Sequence, residues 1–240
     1  MKTVIFTSDK HAWLLKGFFC QWQKYAGRMK SVAQMEVAGF SPIPTLPSVV
    51  DFYSIGAFKD YPVNKWSDGV IRYLKHINDE LVIILLEDYW LVRPVYWEGV
   101  LAAWDYMMSH PKAVRFDLTS DRVFSEEMQY VDNHGPIDIC HSKGQYSLSF
   151  QAGIWRRELL LELMRPNESP WQAELQGSAR LNDTNYAVFG SFQWPMNYAI
   201  VMNKGVLDKE GAWMQPARTL KRADWRDLQE LGYLESGNEH

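Results

Sequence analysis

The segment that most limits how this chain can fold is Leu81-Val82-Ile83-Ile84-Leu85-Leu86-Glu87-Asp88-Tyr89-Trp90, an apolar run that ends abruptly in two adjacent carboxylates. A continuous apolar run of this length reads as a strand buried on both faces, which requires a sheet covered by helices. A buried carboxylate needs a cation, a metal or several hydrogen-bond donors. In open α/β sheets, ligands bind just beyond the carboxyl ends of the strands. Glu87 and Asp88 therefore stand where a metal-bound, phosphate-bearing ligand would be held. The alternative is that both acids are solvated at the strand end and cap the helix that follows.

The rest of the first half has the pattern such a sheet demands. Val4 to Phe6 reads as a strand, with Ser8 or Asp9 able to cap a helix carrying Trp13, Leu14, Phe18 and Trp22. Val32 to Val37 and Phe52 to Phe58 read as further strands, separated by a Pro-rich loop over Gly39 to Pro47. Ser67 is placed to cap a helix with Val70, Leu74 and Ile77 on one stripe. Pro94 suits the first turn of a helix whose buried face is Tyr96, Trp97, Val100, Leu101, Trp104 and Met108. Val114 to Leu118 is another short strand. This alternation is the signature of a mostly parallel sheet flanked by helices.

The second half departs from it. Asp132 to Gly144 reads as a polar loop and Tyr146 to Phe150 as an alternating strand. Trp155, Leu159, Leu160, Leu163 and Met164 mark a helix, Pro166 to Pro170 a break, and Trp171 to Ala179 a further helix. Tyr198 to Met202 reads as a late strand and Asp224 to Leu231 as a terminal helix. No linker rich in Gly, Ser or Pro divides the 240 residues, so one domain is expected.

Composition narrows the classes. The net charge of −4 argues against reliance on broad attraction to a phosphate backbone. Cys20 and Cys140 lie far apart without metal-ligand spacing and read as reduced structural thiols. The N-terminal apolar stretch is too short for a signal peptide, and no segment reaches the ~20 apolar residues of a membrane span, so a cytoplasmic protein is expected. Gly-rich dinucleotide, phosphate-loop and nucleophile-elbow motifs are absent. The 11 Trp, 12 Tyr and 11 Phe supply rings that can stack on sugars or bases, although most are expected in the core.

Four stretches together resemble glycosyltransferases of the GT-A fold, and in particular the small bacterial and phage enzymes of that class. They are Thr7-Ser8-Asp9, Trp66-Ser67-Asp68-Gly69, Leu85 to Trp90, and Ser149-Phe150-Gln151-Ala152-Gly153-Ile154-Trp155-Arg156-Arg157-Glu158 followed by Asn167-Glu168-Ser169-Pro170-Trp171-Gln172-Ala173-Glu174. The last block is the most specific, and the resemblance extends over roughly residues 1 to 205 as a pattern. It implies a GT-A-like, Rossmann-type α/β domain. A nucleoside-diphosphate sugar, such as a UDP-hexose, would lie over residues 1–120, and the acceptor would enter from the side built by residues 121–240.

The resemblance also implies site residues. Asp88 would ligate a divalent cation, Mn²⁺ or Mg²⁺, since hard cations take oxygen ligands. Glu87 would hold donor-sugar hydroxyls or sit behind the metal. The family pattern is Asp-x-Asp, whereas here the carboxylates are adjacent. Successive strand side chains point to opposite faces, so both can ligate only if the strand has already turned. Glu174 would be the base of an inverting transfer, with Trp155 and Trp171 lining the acceptor site. Asp9, Trp66 and Asp68 would contact the nucleotide, although Asp9 and Asp68 also suit plain N-caps and Trp66 suits the core. Lys204, and less specifically Arg122, Arg156 and Arg157, could meet a phosphate. His134 and His141 could ligate metal but read more simply as surface or structural histidines.

The acceptor would be a glycan or, through base flipping, a hydroxymethylated pyrimidine in phage DNA. Two other classes stay open on the same residues: a non-catalytic sugar- or nucleotide-binding module, and a nucleotidyltransferase sharing the sheet and acidic strand end.

Overall fold

A computed structural model describes residues 1–27, 33–120, 127–143, 146–203, 206–207 and 220–234. The first strand, β1 (Lys2–Phe6), leads through a 3-10 turn into α1 (Leu15–Tyr25). Then come β2 (Gln34–Gly39), β3 (Asp51–Ser54), α2 (Trp66–His76), β4 (Leu81–Leu86), β5 (Tyr89–Leu91), α3 (Trp97–Ser109) and β6 (Ala113–Asp117). The second half comprises β7 (Glu127–His134), β8 (Ile137–Lys143), β9 (Gly153–Arg156), α4 (Arg157–Leu163), α5 (Pro170–Asn182), β10 (Ala187–Ser191), β11 (Tyr198–Ile200), β12 (Met202–Asn203), β13 (Val206–Leu207) and α6 (Arg222–Glu230).

Nine strands form one sheet in the order β3-β2-β1-β4-β9-β6-β10-β8-β7. β1, β2, β3 and β4 pair in parallel, β6 pairs in parallel with β10, and β9 and β8 run against their neighbours. This is the expected α/β, Rossmann-like architecture: a mostly parallel, mixed sheet flanked by helices. Alternate residues of β4 feed two cores. Leu81, Ile83 and Leu85 face Leu14, Phe18, Trp22 and Val100 from α1, α3 and the turn before α1. Val82 and Ile84 face Val70, Leu74, Leu160 and Leu181 from α2, α4 and α5. Burial on both faces is what the apolar run required. Among the described residues no helix is long and apolar enough to cross a membrane.

Several local expectations are overturned. Residues 132–144 do not form a loop: their described part belongs to the antiparallel β7–β8 hairpin at the sheet edge. Exposure of the outer strand removes the apolar alternation that would have marked it; Tyr130 and Val131 are themselves exposed. Tyr146 to Phe150 is a turn followed by two residues outside the sheet. Ile154 and Trp155 belong to a strand, β9, inserted between β4 and β6, and the helix begins only at Arg157. β10 had no counterpart in the sequence reading. Ser67 lies within the first turn of α2, which has no side-chain cap, and α3 begins at Trp97, after Pro94. Leu101 and Met108 are exposed rather than buried.

Candidate functional site

Because β1, β2 and β4 are parallel, their carboxyl ends meet at one edge of the sheet, and there Glu87 and Asp88 form a two-residue turn between β4 and β5. The strand has therefore ended at Leu86, before both carboxylates, so the strict alternation of strand side chains no longer separates them. The turn is anchored on both sides. Trp90 Nε1 donates to Glu87 O at 3.2 Å, and the Val201 amide donates to Asp88 O at 3.0 Å. Trp90 is fully buried and fits only because α1 carries Gly17 opposite it: a Cβ there would lie 2.2 Å from the indole.

Electrostatically the turn is frustrated. Burial, and secondarily the neighbouring Glu87, push the Asp88 carboxyl well above its usual range. Glu87 is nine-tenths buried, with His11 Nδ1 3.5 Å from its Oε1. His11 Nε2 is buried without a hydrogen-bond partner among the described residues. Nothing in the sequence distinguished His11 except its place in the loop after β1. A divalent cation would suit the chemistry of this donor set, two hard carboxylates on adjacent residues whose charges repel. No group of three or more His, Cys, Asp or Glu that could hold a metal ion occurs among the described residues.

Asp9 is exposed on the same edge and binds the loop after β2, accepting from the Ser41 amide at 2.9 Å and Ser41 Oγ at 2.8 Å. Asp68 is tied to the entrance of α5, its Oδ2 accepting the Asn167 amide at 2.7 Å. Asn167 itself has a left-handed φ of 62°. Trp66 packs edge-on against Phe150, at 4.8 Å between ring centroids.

Glu174 sits on α5, whose start is set by a Ser169–Gln172 capping box with Pro170 in the first turn. Its Oε1 accepts the Phe150 amide at 2.7 Å. The Phe150 carbonyl accepts from Tyr89 Oη at 3.2 Å, and Tyr89 directly follows Asp88. One residue thus links the candidate base to the acidic turn through both of its backbone polar groups. Phe150 and Tyr89 were not singled out from the sequence; only the position of Tyr89 beside the acids could have drawn notice.

Trp171 is 66% exposed, one helical turn before Glu174, where it can form a wall. Trp155 is 0% exposed, stacked on Phe150 and under Arg115, so it belongs to the core and touches no acceptor in this conformation. Arg156 is buried and donates to the carbonyls of His110, just after α3, and Ala113, at the start of β6, and Arg157 donates to Asp79 O. Both are structural. His134 pairs with Asp105 at 2.8 Å and His141 packs on Phe189. Lys204 and Arg122 lie outside the described residues. Two concavities of about 60 and 260 Å³ share Thr184 and Tyr186, and neither is lined by Glu87, Asp88 or Glu174. The site is therefore identified by its chemistry rather than its depth.

No protein-family model matches the chain, and no curated protein matches it. Among solved structures it is similar to S. aureus TarS 1–349 in complex with UDP (TM-score 0.49, 14% identity, 79% of this chain and 59% of that one). It is also similar to the mannosyltransferase PcManGT from Pyrobaculum calidifontis in complex with GDP-Man and Mn²⁺ (0.49, 13%, 85% and 57%). A third similarity is to CMP:2-keto-3-deoxy-manno-octonic acid synthetase complexed with CTP (0.42, 15%, 78% and 87%). The chain spans less than two thirds of the first two. These are similarities of overall trace, and they assign no residue and no reaction.

Proposed function

We propose that this chain is a nucleotide-sugar-dependent glycosyltransferase that moves a hexose to an acceptor hydroxyl with inversion. The observation that carries the reading is the connection Asp88–Tyr89–Phe150–Glu174, in which the acidic strand-end turn and the Glu174 carboxylate share one hydrogen-bonded unit. Asp88, with Glu87 beside it, would hold a Mg²⁺ or Mn²⁺ ion, which when bound neutralises charge on a departing diphosphate. Asp9 and the His11 loop border the nucleotide. Glu174 takes the proton from the acceptor hydroxyl while the new glycosidic bond forms and the bond to the diphosphate breaks. Trp171 offers its exposed indole to the apolar face of an acceptor sugar. A glycan is the acceptor class that this open aromatic wall suits, and hydroxymethylated DNA is the comparison acceptor.

The test is donor turnover by the purified protein with UDP- and GDP-hexoses and Mn²⁺, on glycan and modified-DNA acceptors. Nucleoside diphosphate release that needs Asp88 and Glu174 supports the reading. Pyrophosphate release from a nucleoside triphosphate would replace it with nucleotidyl transfer. Binding without turnover of any donor would leave only a binding module.

A further inference from the structure

We propose that Arg115 is a positioning residue that orients Glu174 through the segment 149–152; the catalytic meaning of this rests on the proposed role of Glu174. Arg115 lies inside β6, directly opposite Trp155 of β9, and is completely buried. Its guanidinium stands 5.1 Å from the Trp155 ring, and Asp117, equally buried, approaches Nη2 at 3.5 Å. The same nitrogen donates to the Gln151 carbonyl at 3.2 Å. Among the described residues, Nε and Nη1 have no hydrogen-bond partner, and neither does Trp155 Nε1.

Stability does not explain this arrangement. A buried ion pair is commonly no more stabilising than well-packed apolar side chains of the same volume. Donors left unmade in the interior worsen the comparison. What an apolar residue could not do is grip the Gln151 carbonyl. That grip is one of several on a segment outside the sheet. The Phe150 amide donates to Glu174, its carbonyl accepts from Tyr89, and the Ala152 amide donates to Tyr198 Oη at 3.1 Å. Side chains from β6, α5, β5 and β11 therefore fix consecutive peptides. The Arg115 grip comes from the sheet interior, the part of the molecule least able to move. Gly153 keeps the path open, since a Cβ there would lie 3.1 Å from Arg115 Nε and 3.0 Å from the Phe116 carbonyl.

The experiment uses the full chain with Arg115→Met/Asp117→Asn, which removes both charges together, and Arg115→Lys, which keeps a single donor. Amide exchange of Phe150 reports the segment directly; isothermal titration reports donor affinity; steady-state transfer reports kcat and KM. The double variant is expected to remain folded, to exchange the Phe150 amide at least tenfold faster, to bind the nucleotide sugar within twofold of wild type, and to lose at least tenfold in kcat. Arg115→Lys should recover part of both losses. A folded double variant with unchanged Phe150 exchange, or with faster exchange but unchanged kcat, overturns the proposal. If the double variant does not fold, Arg115→Lys decides: wild-type exchange and wild-type kcat overturn it. If the wild-type protein turns over no donor, the transferase reading fails, and the exchange data still establish or overturn the orienting role.

Discussion

Glu174 Oε1 accepts the Phe150 amide at 2.7 Å, so the candidate base is aimed by the same residue whose carbonyl is held by Tyr89, next to Asp88. Glu174→Gln should separate orientation from chemistry. The amide oxygen can still accept from Phe150, so the fold and thermal stability should stay close to wild type. Loss of the base should lower kcat by roughly 10²–10⁴-fold with donor affinity retained. A near-wild-type kcat would remove Glu174 from the chemistry.

Asp88→Asn should stabilise the metal-free protein while abolishing metal-dependent donor binding. Burial and Glu87 raise the Asp88 pKa above its unfolded value. Such a group contributes stability at pH below the unfolded value, near 4, and loses it as pH rises through the folded one. At neutral pH the charged carboxylate is thus a burden, and the neutral amide relieves it. The expected gain is ~1 kcal/mol, about 3 °C in a chain of this size. It should vanish when melting is repeated near pH 4. A lower Tm for the variant at pH 7 would contradict the frustrated turn.

Gly17→Ala should be among the most damaging small substitutions. The added carbon would lie 2.2 Å from the buried Trp90 ring, and overpacking of this kind costs about 1–3 kcal/mol. Because Trp90 Nε1 anchors the Glu87 carbonyl, donor affinity should fall along with Tm. Chemical denaturation and donor titration on the same sample check both.

Trp171→Ala should act on the acceptor alone. At 66% exposure the indole contributes little to the core, so the stability change should stay within ~0.5 kcal/mol. Acceptor KM should rise severalfold at unchanged donor affinity. An equal effect on donor binding would relocate the acceptor site.

Cys20 should react slowly with thiol reagents. Burial raises its pKa, a shift that Lys24 only partly offsets, and the thiolate is the reactive form. Labelling at pH 8 should lag behind free cysteine and accelerate as pH is raised further.

The sheet and the acidic turn were legible because their signals are local. Leu81 to Leu86 is apolar at every position, which only a strand buried on both faces tolerates, and it stops at Glu87-Asp88. The helix expected over Trp171 to Ala179 is present as α5, which a Ser169–Gln172 capping box starts one residue earlier, at Pro170. Trp155 was misread because Ile154-Trp155-Arg156 suits a strand or a buried helix equally well, and the choice lay in pairing with Ile83 and Phe116, far away in sequence. Ser67 looked like a cap, yet its hydroxyl is committed to the Glu168 amide, 101 residues on.

By itself, then, the sequence determined which segments must be covered on both faces, where the chain turns acidic, and which helix carries the candidate base. Burial periodicity and capping are properties of neighbouring residues. Only the tertiary structure decided that Phe150 joins Glu174 to Tyr89, that Arg115 is enclosed beneath them, and that His11 lies against Glu87. Those contacts join residues dozens of positions apart, and their partners are set by how the strands and helices pack together rather than by any spacing along the chain.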